Sequence, residues 1–313
     1  MTDLEIDNIL RSCTSIKPKE LIISDLKWKY LVRAVLRSKN IMIIGPSGCA
    51  KTLAARCVAK ALNRPFEKIN FGSTQDARAT LIGNTTYKKD IGTIFHKSAF
   101  IKAITTPGTI ILLDEFSRGT HDAHNIILTA TDPIQRYVRL DEDDESSVIN
   151  VADDVCFIAT ANIGNEYTAT RVLDKASIRR FPVKLEMSPL TGKELTELFN
   201  ILFKGRSESE LDAMKTLVKI SDDLLEQCKI EDAKISSFIP PSNMVEMAEL
   251  VMDNFSIEEI AEATIYPEYD DNGGADSERA FVKSLIQKYI PKNVKSPIND
   301  PLIGCLTSKS KKI

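Results

Sequence analysis

The segment Gly45–Thr52 reads GPSGCAKT, and its residue types suit the binding of phosphate groups. Small residues allow backbone N–H groups to surround an anion, and a following helix favours negative charge at its N-terminus. Lys51 can reach the β- and γ-phosphates of a nucleotide, and the Thr52 hydroxyl can bind Mg²⁺. The candidate nucleotide-binding residues are Gly45, Pro46, Ser47, Gly48, Cys49, Ala50, Lys51 and Thr52.

The residues on either side predict the strand–loop–helix arrangement that a phosphate-binding loop requires. Asn40–Ile44 (NIMII) is a short apolar run typical of a buried strand, and Lys51–Asn63 has helical spacing. A glycine usually precedes the lysine of such loops, and Ala50 stands there instead. Alanine is small enough for this position if its backbone angles are ordinary.

A pair of acidic residues follows the apolar run Thr109–Leu113 (TIILL). Such a run predicts a buried strand, which would bring Asp114 and Glu115 to its carboxyl end. Asp114 can hold the shell of a Mg²⁺ ion, and Glu115 can orient or deprotonate an attacking water. The pair favours hydrolysis by water over the chemistry of a simple kinase or GTPase. The alternative is two exposed acids without a chemical role.

Polar residues also flank the last two predicted strands. Asn162 follows Val155–Thr160, at the edge where open α/β sheets bind ligands. Its amide can donate to a γ-phosphate or hold the attacking water; otherwise it is an ordinary turn residue. Arg179 and Arg180 precede Phe181–Glu186. A guanidinium from a neighbouring subunit can stabilise the charge of phosphoryl transfer, and the alternative is a surface salt bridge.

Apolar strands that alternate with helical stretches predict an α/β domain with a parallel sheet covered on both faces. The predicted strands are Asn40–Ile44, Phe66–Phe71, Thr109–Leu113, Val155–Thr160 and Phe181–Glu186. After residue 188 the pattern is that of amphipathic helices. The expected divisions are an N-terminal extension 1–25, an α/β nucleotide-binding domain 26–187, a helical domain 188–290 and a basic tail 291–313.

The stretch Arg136–Asp154 interrupts this alternation. Two apolar pairs, Tyr137-Val138 and Val148-Ile149, flank the acidic run Asp141–Glu145. This pattern predicts a β-hairpin with an acidic tip. The acidic residues form either a solvated turn or a recognition surface.

Composition excludes several classes of protein. The 313 residues include 41 Lys and Arg against 44 Asp and Glu, and the net charge of -3 does not favour nucleic acid as the partner, although it allows a local basic surface. The six cysteines include no CxxC pair, so neither a disulfide framework nor a zinc site is predicted. No apolar run approaches the ~18 residues of a membrane span and no secretory signal is visible, so we expect no membrane association and a cytoplasmic location.

The order of these motifs resembles that of an AAA+ ATPase over residues 40–290. Thr109–Gly119 (TIILLDEFSRG) and Leu81-Ile82-Gly83 are similar to signatures of the MoxR and dynein-related branch of that family. Phe157–Gly164 (FIATANIG) resembles the small subunit of cobaltochelatase, CobS, in the same branch. The resemblance implies a P-loop core with a five-stranded parallel sheet of order 5-1-4-3-2, followed by a helical lid.

The resemblance also implies roles for individual residues. ATP and Mg²⁺ would be bound, with Thr52 and Asp114 holding the metal. The implied catalytic residues are Glu115, Lys51, Asn162, Arg180 and Arg179. In the family's terms Asn162 is sensor 1 and Arg180 is the arginine finger, which Arg179 assists or replaces.

Two further segments are placed by the resemblance. Gly83–Phe95 lies where this branch has substrate-facing loops, so Tyr87, Lys88 and Lys89 are candidate pore contacts, with a plain surface loop as the alternative. The family usually has an arginine, sensor 2, at the start of a lid helix. This chain has Ser242 and Asn243 in that region, so no sensor-2 residue is assigned.

The implied function is an ATP-hydrolysing motor that remodels or matures a protein partner. The family works as rings of identical subunits, commonly hexamers, with ATP between subunits. The implied partner is a protein substrate or adaptor, including one with a von Willebrand A-type domain. Three alternatives are a nucleic-acid-associated motor or loader, a cobaltochelatase-like metal-insertion subunit, and a non-hydrolysing scaffold, which intact Glu115 and Asn162 disfavour.

Overall fold

A computed structural model describes most of the chain in two compact units, one ending at Pro189 and one beginning at Leu190. The described residues are 2–73, 76–89, 92–140, 148–162, 174–230 and 233–290. The predicted acidic tip Asp141–Glu145 and the basic tail 291–313 lie outside these ranges.

Within the described residues of the first unit, nine strands form three sheets. The strands are β1 (Ile41–Ile44), β2 (Phe66–Asn70), β3 (Gly83–Lys88), β4 (Gly92–Lys97), β5 (Ile110–Asp114), β6 (Tyr137–Arg139), β7 (Val148–Asn150), β8 (Cys156–Ala161) and β9 (Val183–Glu186). The main sheet is parallel throughout, with the order β2-β5-β8-β1-β9. Numbered along the chain and read from the β9 edge, this is 5-1-4-3-2, so the predicted α/β fold and strand order are confirmed.

Helices surround this sheet and make up the second unit. Those of the first unit are α1 (Asp3–Ser12), α2 (Asp25–Leu36), α3 (Lys51–Ala61), α4 (Ala77–Leu81), α5 (Ala99–Ile104), α6 (His121–Ala130) and α7 (Lys175–Arg179). Those of the second unit are α8 (Gly192–Leu202), α9 (Glu208–Gln227), α10 (Pro241–Met252), α11 (Ile257–Ile260) and α12 (Glu278–Gln287). The second unit packs its own core of leucine, isoleucine and methionine side chains.

The three central strands are buried along their whole length, apart from the half-buried Ile44 at the end of β1. Their sequences, IMII, IILLD and CFIATA, lack the alternation of polar and apolar residues that a half-exposed strand shows. Continuous apolar strands suit a parallel sheet with helices on both faces. The polar residues at their carboxyl ends therefore meet at one edge of the sheet.

The two small sheets are hairpins. β6 pairs with β7 in antiparallel register, with Val138 opposite Ile149, which confirms the predicted hairpin. β3 pairs with β4 over their full length, so the predicted loop Gly83–Phe95 is largely a β-ribbon. Tyr87 near its tip is 75% exposed.

The N-terminal extension contains the helix α1, which was not predicted from the sequence. The Trp28 indole of α2 is fully buried and donates a hydrogen bond of 2.7 Å to the Cys13 carbonyl that follows α1. A buried indole N–H requires such an acceptor. This contact fixes the extension onto α2.

The sheet fixes the start of the loop between β1 and α3. The Met187 N–H donates to the Ile44 carbonyl at 2.7 Å, and the Gly45 N–H donates to the Ala161 carbonyl at 3.2 Å. A Cβ atom at Gly45 would lie 2.1 Å from the Met187 carbonyl oxygen. Only glycine therefore fits at the first position of the loop.

The condition stated for alanine at the end of this loop, ordinary backbone angles, is not met. Ala50 has φ 57° and ψ 23°, in the left-handed region, rather than ordinary angles. That conformation costs an L-residue with a Cβ about 1–2 kcal/mol, whereas glycine adopts it freely. The usual glycine before the lysine thus has a backbone reason, and this chain tolerates the strain of alanine.

Truncation of Leu112 at the centre of β5 tests this core. Leu112 is fully buried, so Leu112→Ala should lower the free energy of unfolding by about 2–5 kcal/mol. Leu4→Ala is the matched control, because Leu4 is 73% exposed and its truncation should stay within about 0.5 kcal/mol. Urea unfolding followed by the fluorescence of Trp28, the single tryptophan, reports on this unit. Equal losses in the two variants would contradict the assigned core.

Candidate active site

The carboxylate of Asp114, at the end of β5, joins three other elements. Its Oδ1 accepts hydrogen bonds from the Thr52 hydroxyl of α3 at 2.9 Å and from the Thr160 hydroxyl of β8 at 2.6 Å. Its Oδ2 forms an ion pair with the Lys68 Nζ of β2 at 2.7 Å. Asp114 is buried, so each of these partners replaces a hydrogen bond that water would otherwise supply.

The surroundings of Asp114 favour its ionised form. Burial alone would raise the pKa of a carboxyl group. Hydrogen bonds from Lys68, Thr160 and Thr52 outweigh burial, and the pKa of Asp114 lies below its ordinary value. The site therefore holds a fixed negative charge at neutral pH, next to the first turn of α3.

The Lys51 side chain folds back onto the phosphate-binding loop. Its Nζ donates to the carbonyl oxygens of Gly45 at 2.9 Å and Pro46 at 2.5 Å, and its side chain is buried. Burial lowers the pKa of Lys51, while the neighbouring Cys49, Asp114 and Glu115 partly offset that effect. An anionic ligand in the loop would stabilise the ammonium form further.

Glu115 occupies a sharp turn directly after β5. Its backbone is left-handed, with φ 53° and ψ 39°, and its N–H donates to the Thr160 hydroxyl at 3.0 Å. Its Oε2 lies 3.3 Å from the Arg118 Nη1, and a Cβ atom at Gly72 would come within 1.9 Å of that oxygen. The side chain is thus directed toward the backbone that follows β2, with Arg118 as its charged partner.

Aromatic packing fixes this turn. Phe116, the residue after Glu115, is buried and packs edge-on against Phe71 at 5.2 Å and Phe181 at 5.5 Å between ring centroids. The His124 ring lies 4.6 Å from the Phe116 ring, and its Nε2 is 2.8 Å from the Phe116 carbonyl oxygen. A well-packed aromatic cluster restricts the backbone on either side of it.

The other predicted site residues lie at two places. Asn162 directly follows β8, which pairs with both β5 and β1, so it stands at the same sheet edge as Asp114. The two arginines lie at the end of α7. Arg180 forms an ion pair with Asp132 at 2.8 Å. The Arg179 side chain is exposed and forms no hydrogen bond or ion pair with a described residue.

Sequence reasoning missed Lys68, Thr160 and Arg118. Lys68 lies two residues before the end of β2, on the strand that the predicted order places beside β5. Thr160 lies two residues before Asn162, near the end of β8. Both could have been found by asking which side chains on flanking strands share the edge with Asp114. Arg118 belongs to the turn after Glu115, whose shape no periodicity indicates.

Three other features were candidates for a chemical role: the Cys49 thiol, clusters of metal-binding side chains, and Asn243 in the lid region. Burial raises the pKa of Cys49 to about 11, so its thiol stays protonated at neutral pH and is a poor nucleophile. Within the described residues, no group of three or more His, Cys, Asp or Glu side chains could hold a metal ion. The Asn243 amide near the start of α10 donates to the Glu268 carboxylate at 3.3 Å.

A helix that crosses a membrane is long and predominantly apolar. None that the structure describes combines enough residues with enough apolar character to cross a bilayer.

Comparisons with known proteins agree with this geometry. Residues 40–181 match the AAA domain family, dynein-related subfamily. The chain is similar to "Putative chaperone BssE" of Thauera aromatica, with 33% identity over 145 residues, which are 46% of this chain and 49% of that protein. It is also similar to Lon protease 2 of Borreliella burgdorferi, with 29% identity over 231 residues, 71% of this chain and 27% of that protein. The matched region thus spans about half of BssE and a smaller part of the protease.

Among solved structures, a "putative ATPase" from Cytophaga hutchinsonii has a TM-score of 0.50 and 17% identity, and the match covers 91% of this chain and 95% of that one. At this identity the likeness concerns the fold alone. The family match covers the loop, the acid pair, Asn162 and both arginines. Residues 40–181, somewhat less than half of this chain, therefore resemble an AAA domain of the dynein-related subfamily.

Proposed function

We propose that the chain hydrolyses ATP at the carboxyl edge of the main sheet and uses the reaction to remodel a protein partner. The observation that carries the proposal is the Asp114–Glu115 pair, placed next to Thr52 and below the loop that holds Lys51. A metal-binding carboxylate beside a second carboxylate suits hydrolysis, because the second carboxylate can orient or deprotonate the attacking water.

The residues around Asp114 fit a Mg²⁺ ion. The Thr52 hydroxyl and an Asp114 carboxylate oxygen lie 2.9 Å apart, and Mg²⁺ prefers oxygen ligands of this kind. These two residues would hold the ion. When bound, Mg²⁺ neutralises charge on the phosphates. Lys51 would add positive charge from inside the loop, in exchange for its present hydrogen bonds to the Gly45 and Pro46 carbonyls.

Glu115 is the proposed base. Its carboxylate would accept a proton from the attacking water or orient it, and Asn162 would hold that water or the γ-phosphate from the end of the neighbouring strand. The Glu115 carboxylate pairs with Arg118 at 3.3 Å. Because both side chains are more than a third exposed, this pair is weak enough for nucleotide binding to rearrange it.

A ring of copies is part of the proposal. The match to a dynein-related AAA domain supports a ring. In a ring, an arginine of one copy would complete the nucleotide site of the next copy. The segments TIILLDEFSRG and FIATANIG favour the MoxR and CobS type, and with it a hexamer and a partner that has a von Willebrand A-type domain. Metal insertion of the cobaltochelatase kind would be one form of such remodelling.

A protein substrate is favoured by three observations. One relative is described as a chaperone, and the net charge of this chain is -3. The β3–β4 hairpin presents Tyr87, which is 75% exposed, next to Lys88 and Lys89. An exposed aromatic ring with flanking lysines suits contact with a polypeptide.

Removal of the Glu115 carboxylate tests the chemistry. Glu115→Gln should reduce ATP turnover by about 100-fold or more, since the amide cannot take up a proton. ATP affinity should stay within a few-fold of the wild type, because Asp114, Thr52 and Lys51 are intact. Phosphate release and equilibrium binding of a fluorescent ATP analogue measure the two effects. Glu197→Gln, an exposed change in α8, is the control, and normal turnover by Glu115→Gln would refute the assignment.

Glu115→Gln also tests whether the partner is a protein. With ATP present, Glu115→Gln should retain a protein partner in an affinity pull-down, because a nucleotide-bound motor that does not turn over stays on its substrate. Adding Tyr87→Ala should reduce the amount retained, whereas Lys29→Ala, an exposed change on α2, should not. Quantitative mass spectrometry gives the comparison. Retention of nucleic acid without an ATP-dependent protein would contradict a protein substrate.

A further inference from the structure

Lys68 reaches Asp114 from the neighbouring strand. β2 and β5 run parallel, and the residue of β2 opposite Asp114 is Asn70, two positions beyond Lys68. Two residues of a strand span about 6–7 Å. The flexible four-carbon stem of a lysine can cover this span, and its Nζ meets Asp114 Oδ2 at 2.7 Å. The pair thus joins the edge strand of the sheet to the proposed metal site.

The contacts of Asp114 occupy most of its carboxylate. An ionised carboxylate has about four acceptor positions, two on each oxygen. Oδ1 accepts the hydroxyls of Thr52 at 2.9 Å and Thr160 at 2.6 Å, which fill both of its positions. Lys68 takes one position on Oδ2, and no other described residue donates to that oxygen. A metal ion, or a water bound to it, would therefore meet the oxygen that Lys68 already holds.

The carboxylate has little freedom to present its other oxygen. The Thr160 hydroxyl accepts the Glu115 N–H at 3.0 Å, so its own hydrogen is committed to Asp114 Oδ1. The Asp114 side chain is only 11% exposed, whereas that of Lys68 is 38% exposed. Lys68 can therefore exchange part of its contact for water more easily than Asp114 can turn.

The charges around the two acids favour an anion. Lys51 interacts electrostatically with both Asp114 and Glu115, Lys68 pairs with Asp114, and Arg118 pairs with Glu115 at 3.3 Å. Among these five residues, three cations face two carboxylates. This balance suits the phosphates of ATP, which carry several negative charges, and it disfavours a divalent cation that arrives alone.

We propose that Lys68 is a built-in counter-ion that keeps Asp114 from holding a divalent cation until nucleotide phosphates are present. The inference rests on the proposed Mg²⁺ site at Asp114 and Thr52, and it makes Lys68 a positioning residue rather than a catalytic one. Without Lys68, the shielded carboxylate would lack its counter-charge, and a divalent cation would supply it. With Lys68 in place, the phosphates must add their own attraction, so that metal and nucleotide bind together.

The first test measures metal binding by the protein without nucleotide. Mn²⁺ suits the same oxygen ligands as Mg²⁺, and electron paramagnetic resonance measures its free concentration. Lys68→Met removes the charge but keeps a long side chain, so Mn²⁺ should bind about 10-fold more tightly than to the wild type, or more. Lys68→Arg keeps the charge and should match the wild type. Lys184→Met, an exposed lysine of the opposite edge strand, is the control and should change nothing.

The thermal midpoint gives a second readout, which works even if the variant is less stable. Lys68→Met should have a lower midpoint than the wild type, because Asp114 loses its partner. About 10 mM Mg²⁺ without nucleotide should restore part of this loss, since a ligand that binds the folded state stabilises it. The wild type should not respond, and NaCl at equal ionic strength controls for screening.

The outcomes separate this inference from the proposed function. Unchanged or weaker Mn²⁺ binding by Lys68→Met would overturn the role of Lys68, while Mg²⁺ would still strengthen ATP binding by the wild type. Adding Asp114→Asn to Lys68→Met should abolish the tighter Mn²⁺ binding. If the double variant keeps it, the metal lies elsewhere, and the proposed site is refuted together with the inference.

Discussion

The buried carboxylate of Asp114 is the constraint on which the site depends. Burying a charge is costly unless hydrogen bonds and an opposite charge replace water, and three elements supply them here. Thr52 reaches Asp114 from the first turn of α3, Thr160 from β8 and Lys68 from β2. Strands β2 and β8 must therefore flank β5, and α3 must begin above the same edge. The order of the sheet and the composition of the site follow from the same requirement.

The hydroxyl of Thr160 extends this constraint to Glu115. It donates to Asp114 and accepts the N–H of Glu115, so the two acids are held by one side chain of β8. The left-handed turn at Glu115 then places Phe116 against Phe181, the residue after the arginine pair. Strain at such a turn persists only where the surroundings hold it, and residues of this kind cluster at functional sites. The acid pair and the arginines are thereby connected through packed aromatic rings.

The grouping of polar residues at one edge of the sheet was predictable, because the carboxyl ends of parallel strands lie on the same side. That rule alone placed Asp114, Glu115 and Asn162 together, and the resemblance to a known family supplied the strand order. The left-handed Ala50 was not predictable from residue size, because the conformation comes from closing the loop onto α3. Lys68 escaped notice because its role depends on a long side chain reaching across to the next strand. Helix α1 begins with a capping box formed by Thr2 and Glu5, a signal in the sequence that was overlooked, and the Trp28 bond to the Cys13 carbonyl holds the segment that follows it.

The central claim is that Asp114 and Thr52 form the Mg²⁺-dependent part of an ATP site. The most direct measurement is calorimetric titration of ATP into the wild type and Asp114→Asn, each with and without Mg²⁺. We expect Mg²⁺ to strengthen ATP binding by the wild type about 10-fold or more, which is about 1.4 kcal/mol or more of binding free energy. We expect little or no strengthening in Asp114→Asn, with Mg²⁺-free binding preserved through Lys51. An equal effect of Mg²⁺ on both proteins would contradict the account.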